Sequence, residues 1–240
     1  MKTIWTLTVR ELKTFFDSLM AYLLLVLFLA ATGFFTWLFG GDVFMTKQAS
    51  LDQFFTWAFV FISVLIPAIT MKMISEEKRT GTIELLLTKA ISDWQVVLGK
   101  YLACFMLVLI ALLLTLPYYF TVMKLGPVDH GAVLCGYFGL LLLSSALISI
   151  GIFASTVTSN QIVAFLLAAA IELIFLLIFY LMSFNAGFMS GIFDYLSFYT
   201  HFEAISRGLL DSRNIIYFIS ISLTGLIIAE SVLAQRNVPS

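Results

Sequence analysis

Charge is scarce in this sequence. Only 11% of its 240 residues are charged, the 13 basic and 14 acidic side chains nearly cancel, and 61% of residues are hydrophobic. A soluble domain carries about 25% charged and about 45–50% apolar residues, so this composition belongs in a membrane. The balance near neutrality gives no sign of a nucleic-acid partner. Cysteine is rare too. Cys104 and Cys135 fall in or beside apolar runs, where they read as small packing residues and not as a disulfide.

Catalytic patterns are missing. There is no G-x-x-x-x-G-K-[ST] loop to cradle ATP phosphates, no H-E-x-x-H and no G-x-S-x-G. The two histidines, His130 and His201, lie far apart, and with Asp129 and Glu203 beside them they are too sparse for a metal site. Glu76-Glu77 invites comparison with an E-E-x-x-x-R intramembrane protease motif, but Gly81 occupies the arginine position. An enzyme is therefore not expected, and no cofactor is expected in this chain.

What is present is a series of apolar runs, each near the ~20 residues needed to cross a bilayer. Six spans are predicted, at 19–39, 54–74, 101–123, 132–155, 161–182 and 215–234, in a single all-α domain over 1–240. Pro67 and Pro117 predict kinks in the second and third. Gly136, Gly139, Ser145, Ser149 and Gly151 give the fourth the small-residue density of close helix–helix contact. Residues 1–18 predict an amphipathic interfacial helix. Trp5, Val9, Leu12, Phe16 and Leu19 lie on one side, and Lys2, Thr6, Arg10, Lys13 and Asp17 on the other. About eighteen mixed-charge residues before a long apolar run do not fit a cleavable signal.

Basic residues set the expected orientation. With the N-terminus inside, Lys2, Arg10, Lys13, Lys72, Lys78, Arg79, Lys89, Lys100 and Arg236 are cytoplasmic. Lys47, Lys124, Arg207 and Arg213 are outside. Both termini and the charged island at 75–100 are then cytoplasmic, and 40–53, 124–131 and 183–214 face out.

The island carries its own helix signals. Gly81 with Glu84 three residues on is a partial capping box for a short helix through Ile83–Thr88, and Ser92 with Gln95 is a full S-x-x-Q box for a helix entering the third span. Ile83, Leu86 and Leu87 form an apolar centre rimmed by Glu76, Glu77, Lys78, Arg79 and Lys89. That pattern suits either a protein-binding knob or a loop packed under its own bundle.

The run E-E-K-R-T-G-T-I-E-L-L-L-T-K-A-I-S-D-W-Q-V-V-L-G-K, residues 76–100, resembles the cytoplasmic loop of ABC-2 type transporter permeases, with Ala90 where the family usually has proline. The resemblance implies an interfacial helix, six spans and a coupling helix that docks into a separate ATPase subunit. Glu77, Arg79, Thr82, Ile83, Glu84, Leu86 and Leu87 are then the docking residues. Tyr195–Gly208 and Asp211–Arg213 resemble the gliding-motility subgroup (GldF-like). For that subgroup the implied partners are an ATPase subunit (GldA-like), which carries ATP and magnesium, and a second permease chain or related membrane subunit (GldG-like), in membrane lipid of a bacterial inner membrane.

The aromatic-rich 183–214 segment belongs at the outer interface, as a lid or an anchor. The resemblance implies short re-entrant helices there, with His201, Glu203 and Arg207 as lid candidates. Glu203 and Arg207 are spaced to pair on a helix. Glu172 is an acid deep in a span, costly there and a functional candidate. It suits a substrate path, a proton site, a bond across a subunit interface, or a protonated carboxyl satisfied by a neighbour. The function implied is ATP-driven export. A non-transporting part in an ATP-driven motility or assembly machine is the alternative, and a secondary transporter is argued against by the sparse intramembrane charge.

Overall fold

The computed structural model describes residues 2–39, 49–82, 92–185 and 187–235. Among these every regular element is helical. They are α1 (Lys2–Asp17), α2 (Leu19–Trp37), α3 (Asp52–Thr70), α4 (Ser75–Thr80), α5 (Asp93–Leu113), α6 (Leu116–Leu125), α7 (His130–Val157), α8 (Gln161–Leu173), a π-helical turn (Ile174–Ile178), α9 (Phe179–Asn185), a 3-10 turn (Gly187–Met189), α10 (Ser190–Leu196), α11 (Phe198–Ser206) and α12 (Ser212–Ala234).

Six of the helical stretches are long and apolar enough to cross a membrane: Leu19–Trp37, Asp52–Thr80, Asp93–Leu125, His130–Val157, Gln161–Phe184 and Ser212–Ala234. The chain is an all-helical integral membrane protein of the expected class. Its centre is α7, which packs against α3, α5, α8, α11 and α12. The small residues of α7 make this possible. The ring of Phe55 lies where a Cβ on Gly136 would be, 2.5 Å away, and Thr70 fills the same space at Gly151. These contacts run in one direction along both helices, so α3 and α7 are parallel, and they are close at Phe55–Gly136 and again at Thr70–Gly151. On the other side Gly225 of α12 lies against Ser149, and Tyr101, Ser145 and Ser222 pass a hydroxyl chain from α5 through α7 to α12, at 2.6 and 2.7 Å. The small residues are contact points, as their density predicts.

Three local features bear on the expectations. Gly81 ends α4 in the left-handed conformation, φ 71°, a backbone shape that glycine adopts without a Cβ clash, and Thr82 directly after it is helical; residues 83–91, which hold the rest of the expected coupling helix, lie outside the described residues. Pro117 does not kink a continuous span. The helix stops at Leu113 and restarts at Leu116, with proline in the first turn of α6, where a missing N–H costs nothing. Thr115 bridges the break, donating to the Leu112 carbonyl at 2.7 Å and lying 3.0 Å from the Tyr137 hydroxyl. Finally, α1 packs through Leu7, Thr8 and Phe15, and leaves Trp5 58% exposed. Two apolar stripes run side by side on this helix. The one opposite Gly99 wins the protein contact, because glycine lets the Leu7 side chain approach to where its own Cβ would sit, 2.8 Å away.

Candidate functional site

The candidate site is the end of the bundle that holds the two described flanks of residues 83–91. The segment is held on both flanks. At its C-terminal flank Ser92 accepts from the Gln95 amide and Gln95 accepts from the Ser92 amide, both at 3.4 Å. This is the predicted capping box, and it starts α5. Trp94, Val97 and Leu98 then seat the first turns of α5 against the core.

The N-terminal flank needs more, since the chain turns a corner at 71–74 between α3 and α4. A corner leaves backbone groups without helical partners. Here Ser155 of α7 supplies them. Its hydroxyl oxygen accepts from the Ile74 and Ser75 amides and its hydroxyl donates to the Met71 carbonyl, each at 3.0 Å. Lys78 donates to the Thr156 carbonyl at the end of the same helix. The corner is therefore fastened to the central helix of the bundle.

A second fastening joins it to α1 and α5. Lys100 is 3% exposed, and its ammonium lies 2.7 Å from Glu77 Oε1 and 3.5 Å from Glu11 Oε1. One cation thus links α1, α4 and α5. Thr8 adds a hydrogen bond from α1 to the Gly99 carbonyl at 3.2 Å. The other oxygen of Glu77, Oε2, is buried with no partner. Lys72, in the corner itself, lies over the Phe15 ring at 5.1 Å from its centre and forms no ion pair among the described residues. Of the expected docking residues, Glu77 is thus turned inward as a structural ligand of Lys100, whereas Arg79 and Thr82 are exposed. Ile83, Glu84, Leu86 and Leu87 lie outside the described residues.

A family model, ABC-2 family transporter protein, matches residues 35–222. The chain belongs to that family. No curated protein matches it. As an ABC-2 permease the chain is a membrane component of an ABC transporter, the part that pairs with a separate ABC ATPase.

The remaining candidates sit elsewhere in this permease. Glu172, in α8, is 1% exposed, and neither carboxyl oxygen has a hydrogen-bond partner. It shares the buried face of α8 with Ala164 and Ala168, and the π-helical turn begins two residues later. Glu203 and Arg207 pair as their spacing predicts, on the exposed side of α11. His201 does not join them. It points inward, 6% exposed, with Nε2 2.8 Å from the Tyr195 carbonyl, Nδ1 2.7 Å from Asn214 Oδ1, and its ring stacked on Tyr217 at 4.0 Å. Tyr217 in turn donates to the Leu196 carbonyl at 2.6 Å. His201 therefore staples α10 and α11 to the start of α12. His201→Ala should loosen this staple by about 1–3 kcal/mol, the cost of leaving buried partners unpaired. Faster hydrogen exchange over 190–206, with 130–157 unchanged, is the expected readout.

Proposed function

We propose that this permease couples a separate ATPase to movement of a substrate across the bacterial inner membrane, with both termini and the 75–100 region on the cytoplasmic side. The observation that carries the reading is the double fastening of the segment's flanks, to α7 through Ser155 and to α1 and α5 through Lys100. A push or pull on residues 83–91 would pass directly into the spans and would not dissipate in a loose loop. In this reading Ile83, Leu86 and Leu87 enter the ATPase, with Glu84, Arg79 and Thr82 at the rim. ATP and magnesium act on that partner.

Two permease chains, identical or related, would form the pathway. The 183–214 segment would close its outer end, with Glu203 and Arg207 outermost and His201 holding the lid to α12. The resemblance at 195–213 supports a role linked to gliding motility, with GldA-like and GldG-like partners. Glu172 is the intramembrane functional candidate.

The docking assignment has a direct test. Leu86→Asp and Leu87→Asp should each abolish co-purification of the ATPase, while the chain still inserts in the membrane. Retention of the ATPase by both variants overturns the assignment. Substrate flux in proteoliposomes containing the permease and its ATPase separates export from a non-transporting motility or assembly role. Only the export reading predicts ATP-dependent flux, and movement without an ATPase would indicate a secondary transporter.

A further inference from the structure

Two cavities meet at α11. The deeper, about 440 Å³, opens between α3 and the π-helical turn, with Val60, Val64, Leu176, Leu177, Tyr180 and Tyr199 in its walls. The shallower, about 420 Å³, lies at the start of α3, and Asp52, Phe55, Asp129 and Arg207 are among its walls. Both fall in the size range of small-molecule sites, about 300–1,000 Å³. One stripe of α11 joins them. Tyr199 borders the deep cavity and Arg207 the shallow one. Glu203 lies between, one helical turn from each, and is ion-paired to Arg207. Both charges lie within electrostatic reach of the Tyr199 hydroxyl.

The depth of the two cavities follows from α3. The Tyr199 ring meets Phe59, 5.6 Å between centres, whereas Arg207 shares its cavity with Phe55 and Asp52, nearer the start of that helix. Helix α11 therefore runs antiparallel to α3, with Tyr199 deep and Arg207 shallow. From Asp52 to Val64 is about 18 Å at 1.5 Å per residue, close to half of a ~30 Å hydrocarbon core. The deep cavity thus lies within one leaflet. Val60, Val64 and Leu177 are exposed at its margin, so it opens sideways into the bilayer. On its α3 wall the Thr56 and Ser63 hydroxyls are spent on the Asp52 and Phe59 carbonyls. What remains is apolar surface, with the Tyr180 and Tyr199 rings packed 4.6 Å apart.

We propose that the joined cavities hold one aminophospholipid of the adjacent leaflet, with an acyl chain between α3 and the fifth span and the headgroup beside Arg207. The charges match the two ends of that headgroup. Arg207 gives one guanidinium nitrogen to Glu203, and the planar group has further N–H donors for a phosphate. Glu203, Asp52 and Asp129 offer carboxylate oxygens to an ammonium. Asp129 commits one of its oxygens to the Gly131 and Ala132 amides. A phosphatidylglycerol head brings the phosphate but no ammonium for these carboxylates, so it fits less well. An apolar chain and a zwitterionic head, joined end to end at this depth, are the two halves of such a lipid.

Native mass spectrometry of the full chain, supplied with equal amounts of phosphatidylethanolamine and phosphatidylglycerol in mild detergent, reads the bound lipid by its mass. One phosphatidylethanolamine per chain should be retained, at least about fivefold over phosphatidylglycerol. Arg207→Gln should cut that retention about tenfold, the loss of one charge-assisted contact to phosphate. Ser63→Phe, which fills the deep cavity and leaves the headgroup end untouched, should cut it as much. The preference of the parent chain is measured without any substitution, so it stands even if a variant folds poorly. Equal retention of the two lipids, no retained lipid, or retention unchanged by both variants would each overturn the site. A dimer that excludes lipid and is lost in Ser63→Phe would make a second copy of the chain the occupant, and would overturn it too. The site rests on the cavities alone, and no ATPase enters the measurement, so its failure leaves the docking assignment standing.

Discussion

Replacing Lys100 by methionine is expected to destabilise the folded permease by about 3–5 kcal/mol, the range found when one partner of a buried ion pair is removed. The side chains justify the upper class of effect. The side chain of Lys100 is 4% exposed, and those of Glu11 and Glu77 are 11% and 15% exposed, so water does not screen the charges left behind as it would at a surface. Methionine keeps most of the volume and stem, so packing loss is minor. The defect is two carboxylates facing each other across α1 and α4 with no cation between them. Dodecyl sulfate unfolding in bicelles gives the free energy. A second variant separates charge from architecture. With Glu11→Met, Glu77→Met and Lys100→Met combined, no charge is stranded, and most of the lost stability should return, since apolar replacement of a complete buried ionic set is often neutral or favourable. A single substitution costing less than about 1 kcal/mol would show that the cluster is solvated.

That cluster also marks where sequence reading ends. The six apolar runs were legible because a bilayer imposes a local requirement, about 20 apolar residues in succession. The Ser92–Gln95 box and the Glu203–Arg207 pair were legible for the same reason, since each is completed within one helical turn. Lys100 was not. In the sequence it is one more basic residue that sets orientation, and its partners come from α1 and from α4, brought together only by packing. His201 was read beside Glu203, its neighbour in sequence, but helix α11 turns the two side chains to opposite sides. Its true partners, Tyr195, Asn214 and Tyr217, come from beyond α11. Gly81 was legible as a break between helices, but not that it also closes the helix before it in the left-handed conformation, which depends on α4 forming at Ser75–Thr80. Periodicity found the apolar stripe of α1 expected at the membrane interface; the adjacent face that packs on the bundle was not legible, because it depended on Gly99, ninety-odd residues away.

Glu172→Leu is expected to change stability in the opposite direction, raising it by about 1–3 kcal/mol. A buried polar group with no hydrogen bond costs about that much relative to an apolar group of similar shape. Both carboxyl oxygens of Glu172 are in that condition, on a helix face otherwise built from Ala164 and Ala168. Glu172→Gln removes the ionisable proton and keeps the unmet polarity, so it should gain much less. The comparison is made with the same unfolding measurement used for Lys100. If leucine stabilises the chain while abolishing ATP-driven activity of the complex, the carboxyl is there for function, held against its own cost. If leucine destabilises the chain, Glu172 has a partner in the membrane, and its role is structural. The π-helical turn at Ile174–Ile178 sharpens the expectation. Such turns are one-residue insertions into a helix, found often at functional sites, and this one begins two residues beyond the carboxyl. Unmet polarity and a local break in helical register therefore coincide on one short stretch of the fifth span. Coupling between Glu172→Leu and a deletion of one residue within 174–178, measured as a non-additive change in activity, is the result expected if the two act together.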